Sequence, residues 1–269
     1  MVALSAAHGM ALTTGKVQAV IVHVDVGTQG LAAAVHNASV GRAPVLIFAG
    51  LSPFTLEGEM RGSRTEFIHW SQDVHDQRQI VAQYCRYTAE IKTGRNIKQM
   101  VNRALSFAMS DPKGPVYLIG AREVMEEDIE PYALDQSVWS PIAPTALPED
   151  GVRSIGDALL AAKDPLVITG YSGRNEGAVE ELVKLVDSTG ARVLDTLGSD
   201  MCFPADHRGT FCSVTLDTSL LTTGIAAFLG VKYGVHEKIE TADVILLLDV
   251  DIPYIHTRYK SSRTGLKHF

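Results

Sequence analysis

The chain has 269 residues, 46% of them hydrophobic and 20% charged, which is the composition of a globular protein long enough for two domains. Its net charge of −7, with lysine and arginine scattered along the sequence, gives no attraction to nucleic acid or to anionic lipid. No apolar run approaches the ~18 residues of a membrane span, and three cysteines without CxxC spacing favour a reducing, cytoplasmic setting. An organelle-targeting peptide lost ahead of the sequence is the alternative to that localisation.

Apolar strands alternate with helical segments through the first half of the chain. We predict, in chain order, a helix at 2–13, a buried strand at 17–24, a turn at 25–29, a helix at 29–40, a buried strand at 44–49, a long loop at 50–66, a polar helix at 71–83, an amphipathic helix at 98–109 and a strand at 115–119. Continuous apolar strands joined by helices are typical of a parallel sheet covered on both faces. This half therefore predicts an α/β domain.

A second alternating unit follows a break in composition. Residues 121–151 are acidic and then rich in proline, which predicts a linker. Beyond it we predict helices at 154–162, at 175–188 and near 219–229, and strands at 165–169, 191–195 and 243–250. The second unit is half of a Rossmann-like domain, because the chain stops where an open sheet would normally add another helix and strand. The predicted domains are 1–130, a linker at 131–153, a second domain at 154–258 and an irregular tail at 259–269.

The turn from Asp25 to Gln29 is the most informative short segment. It follows a buried strand, and open parallel sheets bind ligands at the carboxyl ends of their strands. Gly27 would let the backbone come close to a flat ring. Asp25 is either a buried carboxylate in a cleft or the cap of the following helix.

Several motifs resemble the pyrimidine-binding domain of thiamine-diphosphate-dependent enzymes, most of all the acetolactate synthase-like branch. They are Gly9 with Met10-Ala11, Thr14-Gly15-Lys16, the VDVGTQ turn, the helix ending HNAS and the strand PVLIFAG. The stretch from PLVITGYSGRNEG to ADVILLLDVDIPYI resembles the middle domain of the same enzymes. The resemblance covers residues 1–258. It implies two doubly wound parallel-sheet domains, the first incomplete at its N-terminus and the second incomplete at its C-terminus.

The resemblance also implies a cofactor and its contacts. Members of the family bind thiamine diphosphate with Mg²⁺ and act as dimers on 2-oxo acids or aldehydes, and some bind FAD through the middle domain. The residues Gly27, Thr28, Gln29 and Gly30 fall where the family contacts the aminopyrimidine, although Gly30 stands where asparagine is common. Gln72 falls on the substrate side.

The same resemblance puts the activity of this chain in question. The glutamate that protonates the pyrimidine in the family falls immediately before Met1, and the family's magnesium-binding domain follows the middle domain. Gly156-Asp157-Ala158 lacks the third glycine of the magnesium motif and is better explained as part of an ordinary helix. We therefore expect a fragment with no catalytic residue and no metal ligand of its own, which is inactive alone and binds the cofactor weakly.

Two other functions remain open. The chain could be a regulatory module that docks on a full-length relative. It could also bind a nucleotide or FAD, because the turn from Tyr171 to Asn175 lies between a strand and a helix, where backbone N–H groups meet phosphates. Asp249 and Asp251 could then face a ribose, although exposed strand-end carboxylates are the simpler explanation. Asp73 competes with Gln72 for the substrate-side position.

Overall fold

The computed structural model describes residues 1–196, 200–212, 239, 241–251 and 267–268. The chain divides into two compact units, Met1–Thr145 and Ala146–Phe269.

The first unit is a parallel α/β sheet with helices on both faces. Its elements are α1 (Val2–Thr14), β1 (Gln18–Val22), α2 (Val24–Gln29), α3 (Ala32–Val40), β2 (Val45–Leu51), α4 (Ile68–Ser71), β3 (Tyr87–Ile91), α5 (Ile97–Met109), β4 (Val116–Ala121) and α6 (Arg122–Met125). Short 3-10 turns lie at Gln77–Ile80, Ala82–Tyr84, Gly94–Asn96 and Gln136–Trp139. The strands pair in parallel in the order β1-β2-β4-β3, which confirms the predicted fold class.

Alternation along β2 and β4 sends side chains to two separate cores. Ile47 and Tyr117 face a cluster that includes Leu4 of α1 and Val35 of α3. Leu118 faces the opposite cluster with Ala104 of α5. Every residue of β4 is buried, because helices cover both faces of this central strand. The carboxyl ends of β2 and β4 are thereby held rigidly side by side.

The predicted turn at 25–29 is wrong, because those residues form α2. Strand β1 ends at Val22. The short helix α2 follows and ends before Gly30, and α3 begins at Ala32. Near the end of α2, the Thr28 side chain points into the interior and bonds to the Val24 carbonyl and the Tyr117 hydroxyl. The helix predicted at 29–40 corresponds to α3, which begins three residues later, at Ala32.

The polar helix predicted at 71–83 is also wrong. The structure has α4 ending at Ser71 and then two 3-10 turns, and Asp76 caps the first of them by accepting a hydrogen bond from the Arg78 N–H. Side chains that bond to nearby backbone in this way compete with a regular helix. The strand β3 was missed, because its residues are only half-buried and include Glu90, so they form no apolar run.

Residues 131–142, which the sequence assigns to a linker, lie along α5 and are called the α5 strap. The Tyr132 hydroxyl accepts from the Lys98 N–H at 2.8 Å, and the Gln136 side chain accepts from Asn102 at 3.1 Å. The Ser140 carbonyl accepts from the Ser106 hydroxyl. The partners are 34 residues apart at each step, so strap and helix advance together.

The second unit repeats the parallel arrangement. Its described elements are α7 (Glu149–Ala161), β5 (Pro165–Thr169), a 3-10 turn (Ser172–Arg174), α8 (Glu176–Thr189), β6 (Arg192–Asp195), β7 (Thr210–Cys212), β8 (Val244–Leu248) and β9 (Lys267–His268). The strands run in parallel in the order β7-β6-β5-β8-β9. The helix α7 begins at Glu149, five residues before the predicted start. The predicted helix near 219–229 lies outside the described residues, and β9 falls in the part predicted to be irregular.

Candidate functional site

Polar side chains are buried where α2 packs over the sheet of the first unit. Asp25 is 5% exposed and Thr28 is fully buried, although both lie in a helix of six residues. Val24, which opens α2, has a φ of 45°, a conformation that β-branched residues rarely adopt. Strained backbone of this kind persists where its surroundings hold it in place, and it clusters at functional sites.

Three side chains form a directed chain of hydrogen bonds under α2. The Gln77 amide donates to the Tyr117 hydroxyl at 3.0 Å, and the Thr28 hydroxyl donates to the Val24 carbonyl at 2.7 Å. The Thr28 proton is therefore in use, so the 2.7 Å bond between Thr28 and Tyr117 has the phenol as its donor. The chain runs from Gln77 through Tyr117 and Thr28 to the strained residue Val24.

This cluster keeps two hydrogen-bond acceptors without a protein partner. They are Asp25 Oδ1 and Gln77 Oε1, and both atoms are buried. The other Asp25 oxygen accepts from Gln29 at 3.3 Å. Buried acceptors of this kind are costly unless water or a ligand donates to them. The cluster can therefore receive a ligand group that carries N–H donors.

Burial sets the protonation of the neighbouring groups. It raises the pKa of the Tyr117 phenol, and the hydrogen bond donated by Gln77 offsets only part of that effect, so the phenol is protonated at neutral pH. Burial also raises the pKa of the Cys85 thiol to about 12, which makes Cys85 an unreactive thiol rather than a nucleophile.

The structure separates the predicted contact residues by exposure. Gln29 and Gly30 are exposed, Gly27 is half-buried against Val22, and Thr28 points into the interior. Gln72 follows α4 and is half-buried, and its carbonyl accepts from the Ser52 hydroxyl at 3.0 Å.

Two of the alternatives from the sequence find other partners. Asp73 forms an ion pair with Arg64. Asp25 does not cap α2, whose N-cap residue is His23.

The long loop after β2 is fixed to α6 by a buried carboxylate. Glu123 is 2% exposed, and its Oε1 accepts from both the N–H and the hydroxyl of Thr55, at 2.9 and 2.6 Å. Gly62 of the same loop presses against the backbone of Arg122 and Glu123. The loop is therefore anchored at the carboxyl edge of the sheet, beside α2 and the Gln72 segment.

A second carboxylate fixes the loop after β3. Glu127 accepts from the Gly94 N–H at 2.6 Å and from the Thr93 hydroxyl at 2.9 Å, and Arg95 lies nearby. These hydrogen bonds, first from Gly94 and then from Thr93, hold the pKa of the Glu127 carboxyl below its ordinary value of 4.5. The charged form of Glu127 therefore stabilises the folded state.

We expect Glu127→Gln to lower the melting temperature at pH 7, where the wild-type carboxylate is charged. A lowered folded-state pKa contributes stability that is complete above 4.5 and is lost as the pH falls through the folded pKa. The difference between variant and wild type should therefore shrink on acidification below pH 4.5. Thermal unfolding from pH 7 to pH 3 measures it, with the exposed Glu130→Gln as a charge-matched control. A constant difference across that range would contradict the assignment.

Sequence reasoning missed Tyr117, Gln77 and Glu123. Tyr117 carries the one hydroxyl within β4, where every residue is buried, and that was an available signal. Gln77 was hidden inside a segment interpreted as a solvated helix. Glu123 was hidden in an acidic stretch interpreted as the start of a linker, and only the fold brings it against Thr55.

The turn after β5 in the second unit is closed by the chain itself. A Cβ placed on Gly173 would overlap the carbonyl of Met201 and lie 3.0 Å from the Cys202 nitrogen. Asn175 caps α8 by accepting from the Gly177 N–H, and Arg174 pairs with Asp200 at 3.2 Å. The segment from Asp200 to Cys202 therefore packs against this turn, and these contacts favour a structural turn.

Two other candidates also have structural surroundings. Gly156 and Asp157 lie within α7, as the simpler interpretation expected. Asp249 has a φ of 45°, and its carbonyl accepts from the Tyr171 N–H at 3.0 Å.

The described ranges contain neither a metal-binding cluster nor a membrane-spanning helix. There, no group of three histidine, cysteine, aspartate or glutamate side chains is arranged to hold a metal ion. Likewise, no helix in those ranges combines the length and apolar character needed to cross a bilayer.

Comparison with known proteins gives two family matches in the order of the two units. The model described as "Thiamine pyrophosphate enzyme, N-terminal TPP binding domain" matches residues 1–80. The model described as "Thiamine pyrophosphate enzyme, central domain" matches residues 152–264. Together they cover more than half of the chain.

Curated relatives carry related names. The acetolactate synthase isozyme 3 large subunit of Escherichia coli is 24% identical over 209 residues, covering 77% of this chain and 35% of that protein. The 2-hydroxyacyl-CoA lyase 2 of Danio rerio is 29% identical over 139 residues, covering 52% and 20%. The chain spans less than half the length of the curated relatives it matches.

Solved structures share the fold. The benzoylformate decarboxylase of Polynucleobacter necessarius has a TM-score of 0.71 at 18% identity, covering 98% of this chain and 46% of that one. A thiamine diphosphate-dependent 4-hydroxybenzoylformate decarboxylase of Rhodococcus jostii has a TM-score of 0.69 at 17% identity, covering 98% and 46%.

Proposed function

Because the chain belongs to the thiamine pyrophosphate enzyme family, we propose that its first unit binds the aminopyrimidine half of thiamine diphosphate beside α2. The observation that carries the proposal is the pair of buried acceptors without a partner, Asp25 Oδ1 and Gln77 Oε1. An aminopyrimidine has an amino group that donates two hydrogen bonds, and such acceptors match it. The contact residues are Gly27, Thr28, Gln29 and Gly30, with Thr28 acting through its backbone because its hydroxyl is already bonded.

The described residues fit the pyrimidine half of the cofactor better than its diphosphate half. Within those ranges no group of three or more histidine, cysteine, aspartate or glutamate side chains is arranged to hold a metal ion. When bound, thiamine diphosphate supplies a nucleophilic thiazolium carbon. The residues of this chain orient the ring and keep water from its buried edge.

Substrate and assembly belong to the same proposal. We assign a 2-oxo acid or aldehyde as substrate, with Gln72 on its side of the ring, in a decarboxylase or carboligase reaction. A homodimer or a complex with a longer relative is the proposed working assembly. Phe54, Phe67 and Trp70 support it, because they are exposed aromatic side chains around this edge of the sheet.

The second unit is proposed to be structural rather than an FAD or nucleotide site. The covered turn at Gly173 supports this choice. Cys85 and Cys202 are free thiols in the described part of the chain, which supports a reducing, cytoplasmic setting.

Titration calorimetry tests the cofactor proposal directly. We expect thiamine and thiamine diphosphate to bind the 269-residue chain with similar affinities near ~1 mM, since only the small pyrimidine ring is held. Added Mg²⁺ should not tighten binding. Micromolar, magnesium-dependent binding would contradict the weak-affinity expectation, and no binding of either compound at ~10 mM would overturn the site.

A matched pair of glycine variants locates the binding site. A Cβ on Gly27 would lie 3.0 Å from Val22 Cβ, so Gly27→Ala must displace α2 slightly. We expect thiamine affinity to fall about fivefold, equivalent to about 1 kcal/mol. Gly9→Ala in α1 meets no atom within 4 Å and serves as the control. Equal affinities for the two variants would contradict the placement beside α2.

A further inference from the structure

The buried hydrogen-bond chain joins the two segments that form the proposed pyrimidine site. We propose that Tyr117 is a positioning residue of that site, which fixes α2 through Thr28 and the Gln72–Gln77 segment through Gln77. The inference rests on the proposed function for its ligand. Tyr117 is fully buried, so it acts through these neighbours and does not touch a ligand itself.

The Tyr117 hydroxyl and the Gly50 carbonyl together determine which way the Gln77 amide points. Both amide protons are used, one on the Gly50 carbonyl at 2.8 Å and one on the Tyr117 hydroxyl at 3.0 Å. A flipped amide would place its oxygen against the Gly50 carbonyl, which is unfavourable. The orientation therefore fixes Gln77 Oε1, which is one of the two acceptors without a partner.

Tyr117 also stabilises the strained start of α2. This helix has six residues and no side-chain cap, so it has little stability of its own. A left-handed conformation is strained for a β-branched residue, and Val24 adopts it with a φ of 45°. The Val24 carbonyl accepts a hydrogen bond from the Thr28 hydroxyl, and that hydroxyl accepts one from the Tyr117 phenol. Hydrogen bonds in such a chain polarise and strengthen one another.

The two segments meet through Tyr117. It comes from β4, near the middle of the sheet, whereas Thr28 lies in α2 and Gln77 lies 40 residues before Tyr117. The Gln72 carbonyl is tied separately to Ser52 after β2. Removing one oxygen atom from Tyr117 should therefore loosen both segments at once and leave the apolar core in place.

Amide hydrogen exchange of Tyr117→Phe tests the proposal without any ligand. We expect the amides of α2 and of 72–80 to exchange about five- to tenfold faster, while those of α5 stay unchanged, since one buried hydrogen bond is lost at each segment. Tyr87→Phe is the matched control, because Tyr87 stacks on Phe107 on the other face of the sheet. Faster exchange throughout the chain, or no increase in the exchange rates of α2 and 72–80, would overturn the proposal.

Variants of Thr28 separate positioning from packing. Thr28→Ser keeps the hydroxyl and should retain slow exchange at α2, whereas Thr28→Val should lose it. Combining Thr28→Val with Tyr117→Phe should add little at α2, because both changes break the same bond. Fully additive effects of Thr28→Val and Tyr117→Phe on exchange at α2 would contradict the positioning role of Tyr117. Equal exchange rates in Thr28→Ser and Thr28→Val would contradict it as well. If thiamine slows no α2 amide in the wild type, the proposed function fails while the exchange comparison still decides this inference.

Discussion

Replacing Gly173 with alanine is expected to destabilise the second unit by about 3 kcal/mol. The new Cβ would overlap the carbonyl of Met201 and lie 2.6 Å from its carbonyl carbon. These are backbone atoms, so they cannot rotate away as a flexible side chain would. Relief requires moving either the turn after β5 or the segment that carries buried Cys202.

Thermal unfolding of Gly173→Ala measures this effect, and a fall of about 10 °C in the melting temperature is expected. Gly156→Ala is the control in the same unit, because nothing lies within 4 Å of its Cβ and it occupies the interior of α7. That control should gain up to about 1 kcal/mol from helix propensity. A Gly173→Ala variant as stable as wild type would mean that the Met201 segment does not cover the turn.

Gly62→Ala is expected to detach the loop after β2 and to cost about 2–3 kcal/mol. Gly62 has a φ of 85°, and its Cβ would lie 2.7 Å from the Glu123 nitrogen. The backbone strain and the overlap therefore act at the same position. Once the loop moves, the bond from Thr55 to Glu123 is lost and the buried carboxylate is left without a partner.

The control for Gly62 is Gly58→Ala in the same loop. Gly58 has a φ of 94° but no atom within 4 Å of its Cβ, so only the strain of about 1 kcal/mol applies. Limited proteolysis of the loop, together with the melting temperature, distinguishes the two variants. Gly62→Ala should be cleaved at least tenfold faster than Gly58→Ala, the ratio that about 1.4 kcal/mol of local stability gives. Equal cleavage would refute the contact with α6.

The fold class was predictable because the central strands are apolar throughout. Segments such as PVLIFAG, whose residues in β2 are all buried or half-buried, form continuous apolar runs that are typical of central strands. The edge strand β3 was not predictable, since Tyr87–Ile91 is half-buried and contains Glu90. The α5 strap was equally hidden, because its bonds to α5 depend on side chains more than thirty residues apart.

The site was predictable in position but not in its internal connections. The VDVGTQ motif predicted a site at the carboxyl end of β1, where α2 and its buried polar groups lie. No sequence signal links Thr28 to Tyr117, because they are 89 residues apart and adjoin only after β1, β2 and β4 pair.

The even spacing of the α5 strap has a mechanical consequence. The contacts at Tyr132, Gln136 and Ser140 succeed one another along the helix, and the Ile142 N–H bonds to Ser110 at the end where the chain leaves. Tension on the chain beyond residue 142 would load these bonds singly, starting at Ile142. Parallel strands under shear would instead share such a load across many bonds. We therefore expect the α5 strap to detach from α5 at low force. The released residues would lengthen the chain before the sheet of the first unit is strained.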